Sequence, residues 1–257
     1  MATTMVVMGG MTFVLLNMGL TAPYGKYSLT AGTLWGPGLN GEWRRSSDLA
    51  TFLTRSNDYT AKAAWIIQEL PCFIAGALAL VHMSDSEHVF SSASWILMGL
   101  YTLHYTQRAL VYPLFIKEGA QTRASAFILA LVFCVYNGYL QCRYLVLFDP
   151  YSRAEHMSLR FGLGVLLFFI GMGINLHSDS ILRNLRSESN PEYKPDTRYY
   201  IPRGGAFTLV SGANFFGEIV EWTGFAIAAN SWVALAFAVF TFANIGPRGA
   251  QHHRWLR

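Results

Sequence analysis

Residues 207–229 read FTLVSGANFFGEIVEWTGFAIAA, an almost continuous apolar stretch. Its length matches the roughly 20 residues that a helix needs to cross the hydrocarbon core of a bilayer. Its polar side chains recur with the spacing of one helical face, at Ser211, Asn214, Glu218 and Glu221. A charged group facing lipid costs about 2.5–3.5 kcal/mol on insertion scales. The stretch therefore predicts a membrane helix whose polar stripe faces a protein interior.

The composition of the whole chain supports a membrane protein. Of the 257 residues, 53% are hydrophobic and 13% are charged, whereas soluble domains carry about 25% charged residues. This composition argues against a soluble enzyme, a disordered chain and a nucleic-acid-binding module. Although the net charge is +4, the basic residues form no patch with interleaved aromatics. Cys72, Cys134 and Cys142 lie in apolar stretches without metal-ligand spacing, which predicts buried thiols. We expect one integral membrane domain over residues 1–257.

Seven apolar stretches predict transmembrane helices, so the predicted fold class is an all-α, polytopic membrane protein. The first is expected to be a membrane helix rather than a cleaved signal, because it has neither a basic region nor a small-residue cleavage site. The predicted spans are Met5–Ala22, Lys62–His82, Phe90–Phe115, Ala124–Phe148, Leu159–Leu176, Phe207–Ala229 and Trp232–Gly246.

The basic residues predict the orientation of these spans. Most of the 19 Lys and Arg residues fall in the loops and the tail of one side. Arg153 and Arg160 lie on the other side, and Arg108 and Arg143 fall inside spans. By the positive-inside rule, the N-terminus faces outward and the C-terminus is cytoplasmic.

One sequence motif is misleading. Residues 36–41 read GPGLNG and match the GxGxxG pattern. The dinucleotide fingerprint needs a preceding strand and a following helix within a βαβ unit. Here the motif lies in a long loop between two predicted spans, so we do not expect it to bind a phosphate.

Three further spans carry polar side chains at helical spacing. Each set also has a simpler explanation. In the second span, Glu69 could be a carboxyl that stabilises the kink before Pro71. In the third span the tyrosines could anchor the helix at the membrane interface, and in the fifth Asp179 could form a surface ion pair with Arg183. Together the stripes predict one polar pocket inside the bundle, in which Arg108, Arg143, Arg248 or a ligand supplies donors to the carboxylates. The residues concerned are Glu69 in the second span; Tyr101, Tyr105, Arg108 and Tyr112 in the third; and Asn175 and Asp179 in the fifth.

These segments resemble those of the steroid 5α-reductases, the 3-oxo-5α-steroid 4-dehydrogenases. The resemblance rests on AAWIIQELP (63–71), LHYTQR (103–108), RFGLGV (160–165), GMGINLHSD (171–179), YIPRGG (200–205) and VSGANFFGEIVEW (210–222). It implies a membrane oxidoreductase of steroid and lipid metabolism that uses NADPH (NADP) to reduce the Δ4 double bond of 3-oxo steroids. Hydride is added at C5 and a proton at C4.

The resemblance also implies roles for individual residues. Glu69 and Tyr105 would be catalytic and clamp the steroid 3-oxygen, with Trp65 beside them in the substrate site. No metal is implied. Positions at which the family differs are Leu129, Tyr200 and Gln251. The residues that match cofactor-binding positions are Arg108, Asn175, Asp179, Arg186, Tyr199, Asn214, Glu218, Arg248 and His252.

The expected partners are the lipid bilayer and a steroid or related lipid, without nucleic acid or metal, for a monomer whose cofactor site faces the cytoplasm. Three alternatives stay open. Related membrane reductases act on polyprenols or 2,3-enoyl-CoA. A membrane methyltransferase family shares part of this helical architecture and would use S-adenosylmethionine. A transporter or proton relay would use the intramembrane acids, but we find no internal repeat.

Overall fold

The computed structural model describes residues 1–18, 61–116, 122, 124–148, 158–185 and 200–256. Within these ranges the regular structure is helical and no β-strand occurs. The α-helices of these ranges are α1 (Ala2–Asn17), α2 (Ala61–Asp85), α3 (Ser92–Thr106), α4 (Ala124–Phe148), α5 (Leu159–Asn184), α6 (Ala213–Ala229) and α7 (Trp232–Leu256). The all-α prediction is confirmed, and each helix overlaps one predicted span.

Four of the helices are long and apolar enough to cross a membrane. The qualifying segments are Lys62–Asp85, Ala126–Phe148, Leu159–Asn184 and Trp232–Arg254. Large apolar side chains such as Leu78 and Leu129 are exposed on them, which is expected where lipid rather than water surrounds the chain. Helices α1, α3 and α6 are shorter, so seven crossings stay a prediction.

Helix α3 ends differently from the continuous span predicted at Phe90–Phe115. Its α-helical part stops at Thr106 and continues as a π-turn at Gln107–Val111 and a 3₁₀ turn at Tyr112–Phe115. A π-turn holds one extra residue per turn, and such turns occur frequently at functional sites. The irregular turn contains Arg108, so the backbone departs from ideal geometry beside that arginine.

Three other predicted boundaries were wrong, and the first is the end of α5, which lies at Asn184 rather than Leu176. Helix α6 begins at Ala213 rather than Phe207, because residues 205–208 form a short 3₁₀ turn and Gly212 adopts φ −119° and ψ 59° directly before the helix. Such angles do not fit a continuing α-helix. Helix α7 continues past Gly246 to Leu256, since helix formation does not stop where the apolar run stops, and Arg, Ala and Gln are good helix formers. The extension carries Arg248 and His252.

Helices α5 and α6 approach each other closely through glycines. Gly164 and Gly171 on α5 face Gly217 and Gly224 on α6, and a Cβ at Gly171 would overlap the backbone of Glu221. Small residues at such spacing let helix backbones approach closely in membrane proteins. The contact brings the polar end of α5 beside the polar stripe of α6.

Gly171→Ala is expected to disrupt this contact, because the added methyl meets backbone atoms that no side-chain rotation can move. The loss of unfolding free energy should reach the upper end of the ~1–3 kcal/mol that overpacking usually costs. Thermal unfolding in detergent measures it. Gly173→Ala is the control on the same helix, since nothing lies within 4 Å of its added Cβ. Equal stability of the two variants would contradict the close packing of α5 on α6.

Candidate active site

Arg108 connects three helices at the centre of the site. Its Nη1 lies 3.5 Å from Asp179 Oδ2 on α5, and its Nη2 lies 3.4 Å from Glu218 Oε2 on α6. The Asp179 side chain is 3% exposed, whereas that of Glu218 is 18% exposed. The surface pair between Asp179 and Arg183 is therefore excluded, because Asp179 is buried against Arg108. Glu218 keeps part of its carboxylate accessible to a ligand.

Two aromatic rings flank the same guanidinium. Arg108 Cζ lies 4.8 Å from the ring centroid of Trp65 and 5.0 Å from that of Tyr112. These are cation–π distances. The indole Nε1 of Trp65 is buried without a hydrogen-bond partner in the part of the chain that the structure describes. Since buried polar groups are normally paired, this N–H is available to an acceptor on a bound ligand.

Tyr105 lies on α3, buried on the side that faces α4 and α6. The side-chain Nδ2 of Asn137 on α4 donates to its hydroxyl at 3.0 Å. Its ring packs 4.8 Å from that of Tyr101 and 6.0 Å from that of Trp222. Aromatic packing on one side and the α4 amide on the other fix the direction of the phenol.

Glu69 projects from α2 toward the same part of α4. Its Oε1 lies 3.5 Å from Gln68 Nε2, and its Oε2 accepts from the Cys134 thiol at 3.6 Å. Both contacts are long, so the carboxyl group keeps most of its hydrogen-bonding capacity. Cys134 and Asn137 are three residues apart and share a helical face. This face of α4 therefore brings Glu69 and Tyr105 to neighbouring turns.

His104 and Glu221 form a second buried pair. His104 Nδ1 lies 2.7 Å from Glu221 Oε1, and the two side chains are 5% and 1% exposed. The sequence predicted arginines or a ligand as partners of Glu221, and this histidine was missed. The available signal was a histidine in an apolar helix directly before Tyr105. Because Glu221 is occupied by His104, Glu218 is the carboxylate of the α6 stripe that a ligand can reach.

The amides of α5 and α6 hold these two helices in register. Asn175 Nδ2 donates to the backbone oxygen of Asn214 at 2.9 Å. The side chain of Asn214 in turn lies near the Asp179 carboxylate. Four of the predicted cofactor residues, Asn175, Asp179, Asn214 and Glu218, thus lie together on the facing sides of α5 and α6.

Besides Arg108 and these four residues, the predicted cofactor residues that the structure describes are Arg248 and His252 on helix α7. His252 packs 5.4 Å from the ring of Phe215 on α6, and Arg248 lies one turn earlier. Next to His252, Gln251 donates from Nε2 to the backbone oxygen of Leu16 at 3.0 Å. This position, at which the family differs, ties α7 to α1. Arg186, Tyr199 and the GPGLNG motif lie outside the described residues.

The positions of Arg143 and of the three cysteines test two further predictions. Arg143 is exposed and lies 5.4 Å from the Tyr139 ring on the outer side of α4, so it does not serve the carboxylates. The prediction of buried thiols is confirmed for Cys72, Cys134 and Cys142. Among the described ranges, no group of three or more His, Cys, Asp or Glu side chains could hold a metal ion.

The described part of the chain is helical, with apolar helices of membrane length and a buried site of charged and amide side chains. These are the characteristics of a membrane-embedded enzyme. The family model described as 3-oxo-5-alpha-steroid 4-dehydrogenase matches residues 120–257. The chain belongs to this family.

Individual relatives extend the similarity beyond the matched region. The chain is 39% identical over 249 residues to 3-oxo-5-alpha-steroid 4-dehydrogenase 1 of Bos taurus, covering 96% of this chain and 85% of the relative. It is 45% identical over 197 residues to 3-oxo-5-alpha-steroid 4-dehydrogenase 2 of Homo sapiens, covering 76% of this chain and 73% of the relative. The resemblance inferred from sequence motifs is thereby confirmed.

Proposed function

We propose that this protein is an oxidoreductase that reduces the Δ4 double bond of 3-oxo-Δ4 steroids to 5α-dihydro products, with NADPH as the reductant. Family membership and the names of the relatives support the reaction class. The observation that carries the proposal is that the Glu69 carboxyl on α2 and the Tyr105 hydroxyl on α3 contact Cys134 and Asn137, which lie on neighbouring turns of α4. Two protein hydrogen-bonding groups can then meet one carbonyl oxygen.

The chemistry asks these residues to stabilise a developing charge. Bound NADPH supplies the hydride that is added at C5. The electrons of the double bond then move toward the steroid 3-oxygen, giving an enolate that takes a proton at C4. Tyr105 and Glu69 donate hydrogen bonds to that oxygen, which are strongest when its charge is greatest. The apolar walls from α3 and α6 exclude water and strengthen both interactions.

The polar groups of α5 and α6 fit the donors of the cofactor. Asp179 and Glu218 have carboxylate oxygens that accept from ribose hydroxyls, and the amide of Asn214 suits a carboxamide. The indole of Trp65, whose N–H has no hydrogen-bond partner among the described residues, lies beside Arg108 at the edge of this region. Arg248 and Arg186 are basic groups for the phosphates. The same proposal includes Asn175, Tyr199 and His252 as cofactor contacts.

The proposed topology has seven crossings by a single domain, with the N-terminus outside and the cofactor site on the cytoplasmic side. The concentration of Lys and Arg on one side of the predicted spans supports it. The protein works as a monomer in the bilayer. Cytoplasmic access suits a cofactor that is water-soluble and charged.

Asn214→Ala is expected to weaken NADPH binding. Removing the amide deletes a hydrogen bond worth about 1 kcal/mol, which is close to a fivefold increase in Kd. Quenching of tryptophan fluorescence by NADPH measures the Kd. The control is Thr223→Ala on the same helix, whose exposed hydroxyl bonds only to the Ile219 backbone oxygen. An unchanged Kd for Asn214→Ala would remove this residue from the cofactor site.

Turnover assays distinguish the proposed reaction from its nearest alternatives. The purified protein in detergent is incubated with NADPH and a 3-oxo-Δ4 steroid, a polyprenol or a 2,3-enoyl-CoA. The proposal expects the steroid to be reduced at the highest kcat/KM. Reduction of only the enoyl-CoA or polyprenol would reassign the substrate. Thermal stabilisation by S-adenosylmethionine but not by NADPH would instead indicate a methyltransferase.

A further inference from the structure

A chain of buried hydrogen bonds leads from α7 through α4 to Tyr105. Gln141 Nε2 donates to the backbone oxygen of Val233 at 3.1 Å and to Asn137 Oδ1 at 3.3 Å. Asn137 Nδ2 donates to the Tyr105 hydroxyl at 3.0 Å. Asn137 is 0% exposed and Gln141 is 2% exposed. The two amides are one helical turn apart on α4, so they form a continuous row behind the phenol.

The backbone oxygen of Val233 fixes the donor-to-acceptor direction of this series of hydrogen bonds. A carbonyl oxygen can only accept, so Gln141 must turn its NH₂ group toward Val233. The second N–H of the same group then points at Asn137, which must present its oxygen. This orientation leaves the Asn137 NH₂ group facing Tyr105. The phenol oxygen therefore accepts at this contact, and its own proton is left for another partner. Among the described side chains, the Cys72 thiol also lies near this hydroxyl.

We propose that Asn137 and Gln141 are positioning residues that keep the Tyr105 hydroxyl as a hydrogen-bond donor toward the substrate carbonyl. This inference rests on the proposed function, because the carbonyl is that of the 3-oxo steroid. With the opposite polarity, the phenol would donate to Asn137 and would face the substrate with a lone pair. The amide row excludes that state, and a developing enolate meets a proton rather than a repelling oxygen.

Asn137→Asp tests the direction of the row without changing the size of the side chain. A carboxylate has no N–H, so the phenol must donate to it and loses its proton to the wrong partner. We expect kcat to fall about 10²-fold, the lower end for loss of general acid catalysis, with KM and the Kd for NADPH nearly unchanged. An unchanged kcat with an increased KM or an increased Kd for NADPH would overturn the proposal.

Asn137→Leu separates polarity from packing. Leucine is a poorer replacement for shape, but it leaves the proton of Tyr105 free to reach the substrate. The proposal expects a higher kcat for Asn137→Leu than for Asn137→Asp. A purely structural role for Asn137 predicts the reverse order, because the isosteric aspartate disturbs the packing less.

A double-mutant cycle shows whether Asn137 acts through Tyr105. In a Tyr105→Phe background, Asn137→Asp should lower kcat no further, since the hydroxyl that it misdirects is gone. Additive losses would mean that Asn137 acts elsewhere and would contradict the proposal. Gln141→Glu is expected to lower kcat in the same Tyr105-dependent way, because a carboxylate cannot donate to Asn137.

Raman spectroscopy of tyrosine tests the polarity without turnover and without a variant of α4. The tyrosine doublet distinguishes phenols that accept hydrogen bonds from phenols that only donate, and Tyr105→Phe isolates the signal by difference. An accepting phenol is expected, and a donor-only phenol would overturn the proposal. If the wild type reduced no 3-oxo steroid, the proposed function would fail, while this spectrum would still decide the direction of the row.

Discussion

Tyr105→Phe is expected to lower kcat for a 3-oxo-Δ4 steroid by about 10²–10⁴-fold, the range that a positioned acid contributes. The variant keeps the ring that packs against Tyr101 and Trp222 and loses only the hydroxyl. The enolate oxygen then lacks a donor when its charge is greatest. NADPH binding should survive, because the substitution leaves the predicted cofactor residue Arg108 in place and the other predicted cofactor residues that the structure describes lie on α5, α6 and α7. Steady-state turnover and an NADPH titration on the same preparation measure both quantities.

Tyr101→Phe is the matched control. Tyr101 is fully buried one helical turn earlier, and its hydroxyl has no hydrogen-bond partner within the described ranges. Removing that hydroxyl should leave kcat nearly unchanged and should not lower stability, since a buried unsatisfied group is lost. Full activity in Tyr105→Phe would show that Tyr105 does not hold the carbonyl.

Glu69→Gln should be the second large loss, with kcat reduced about 10²-fold or more. Glutamine has nearly the same shape and can still donate a hydrogen bond, but it cannot give up or share a proton as a carboxyl group does. The long contacts of Glu69 with Gln68 and Cys134 leave this capacity for the substrate. The NADPH affinity should again change little. Single-turnover reduction of the steroid measures the chemical step directly.

Glu87→Gln controls for the change of charge, since Glu87 is an exposed residue in the connection between α2 and α3. It should behave as the wild type. If Glu69→Gln kept wild-type turnover while its stability fell, Glu69 would be a structural carboxyl beside Pro71, which is the simpler interpretation of its position.

The polar stripe of α6 shows how much the sequence could predict. Carboxylates at helical spacing in an apolar run had to face a protein interior, and Glu218 and Glu221 both do. Periodicity is a local property, so the helices and their inward faces followed from it. The glycines at seven-residue spacing on α5 and α6 were a sequence signal for the close approach of these helices. Their role became clear only from the backbone contact.

The partners across helices could not be predicted in the same way. His104 pairs with Glu221 over 117 residues of sequence, and Asn137 reaches Tyr105 from a different helix. Such pairs depend on how helices rotate and cross, which one helix's pattern does not contain. Asn137 and Gln141 were missed, although two amides four residues apart in an apolar helix share one helical face and were an available signal. The predicted helix ends were wrong for another reason. Hydropathy indicates which residues can lie in the membrane, but it does not indicate where a helix ends.

The fate of the transferred hydride tests the central claim most directly. NADPH that carries deuterium at both hydrogen positions of C4 of the nicotinamide ring is incubated with the protein and a 3-oxo-Δ4 steroid, and the product is analysed by mass spectrometry and NMR. The proposed reaction predicts a 5α-dihydro steroid with one deuterium at C5 and a solvent-derived hydrogen at C4. Deuterium at any other carbon, or a product without deuterium, would contradict it.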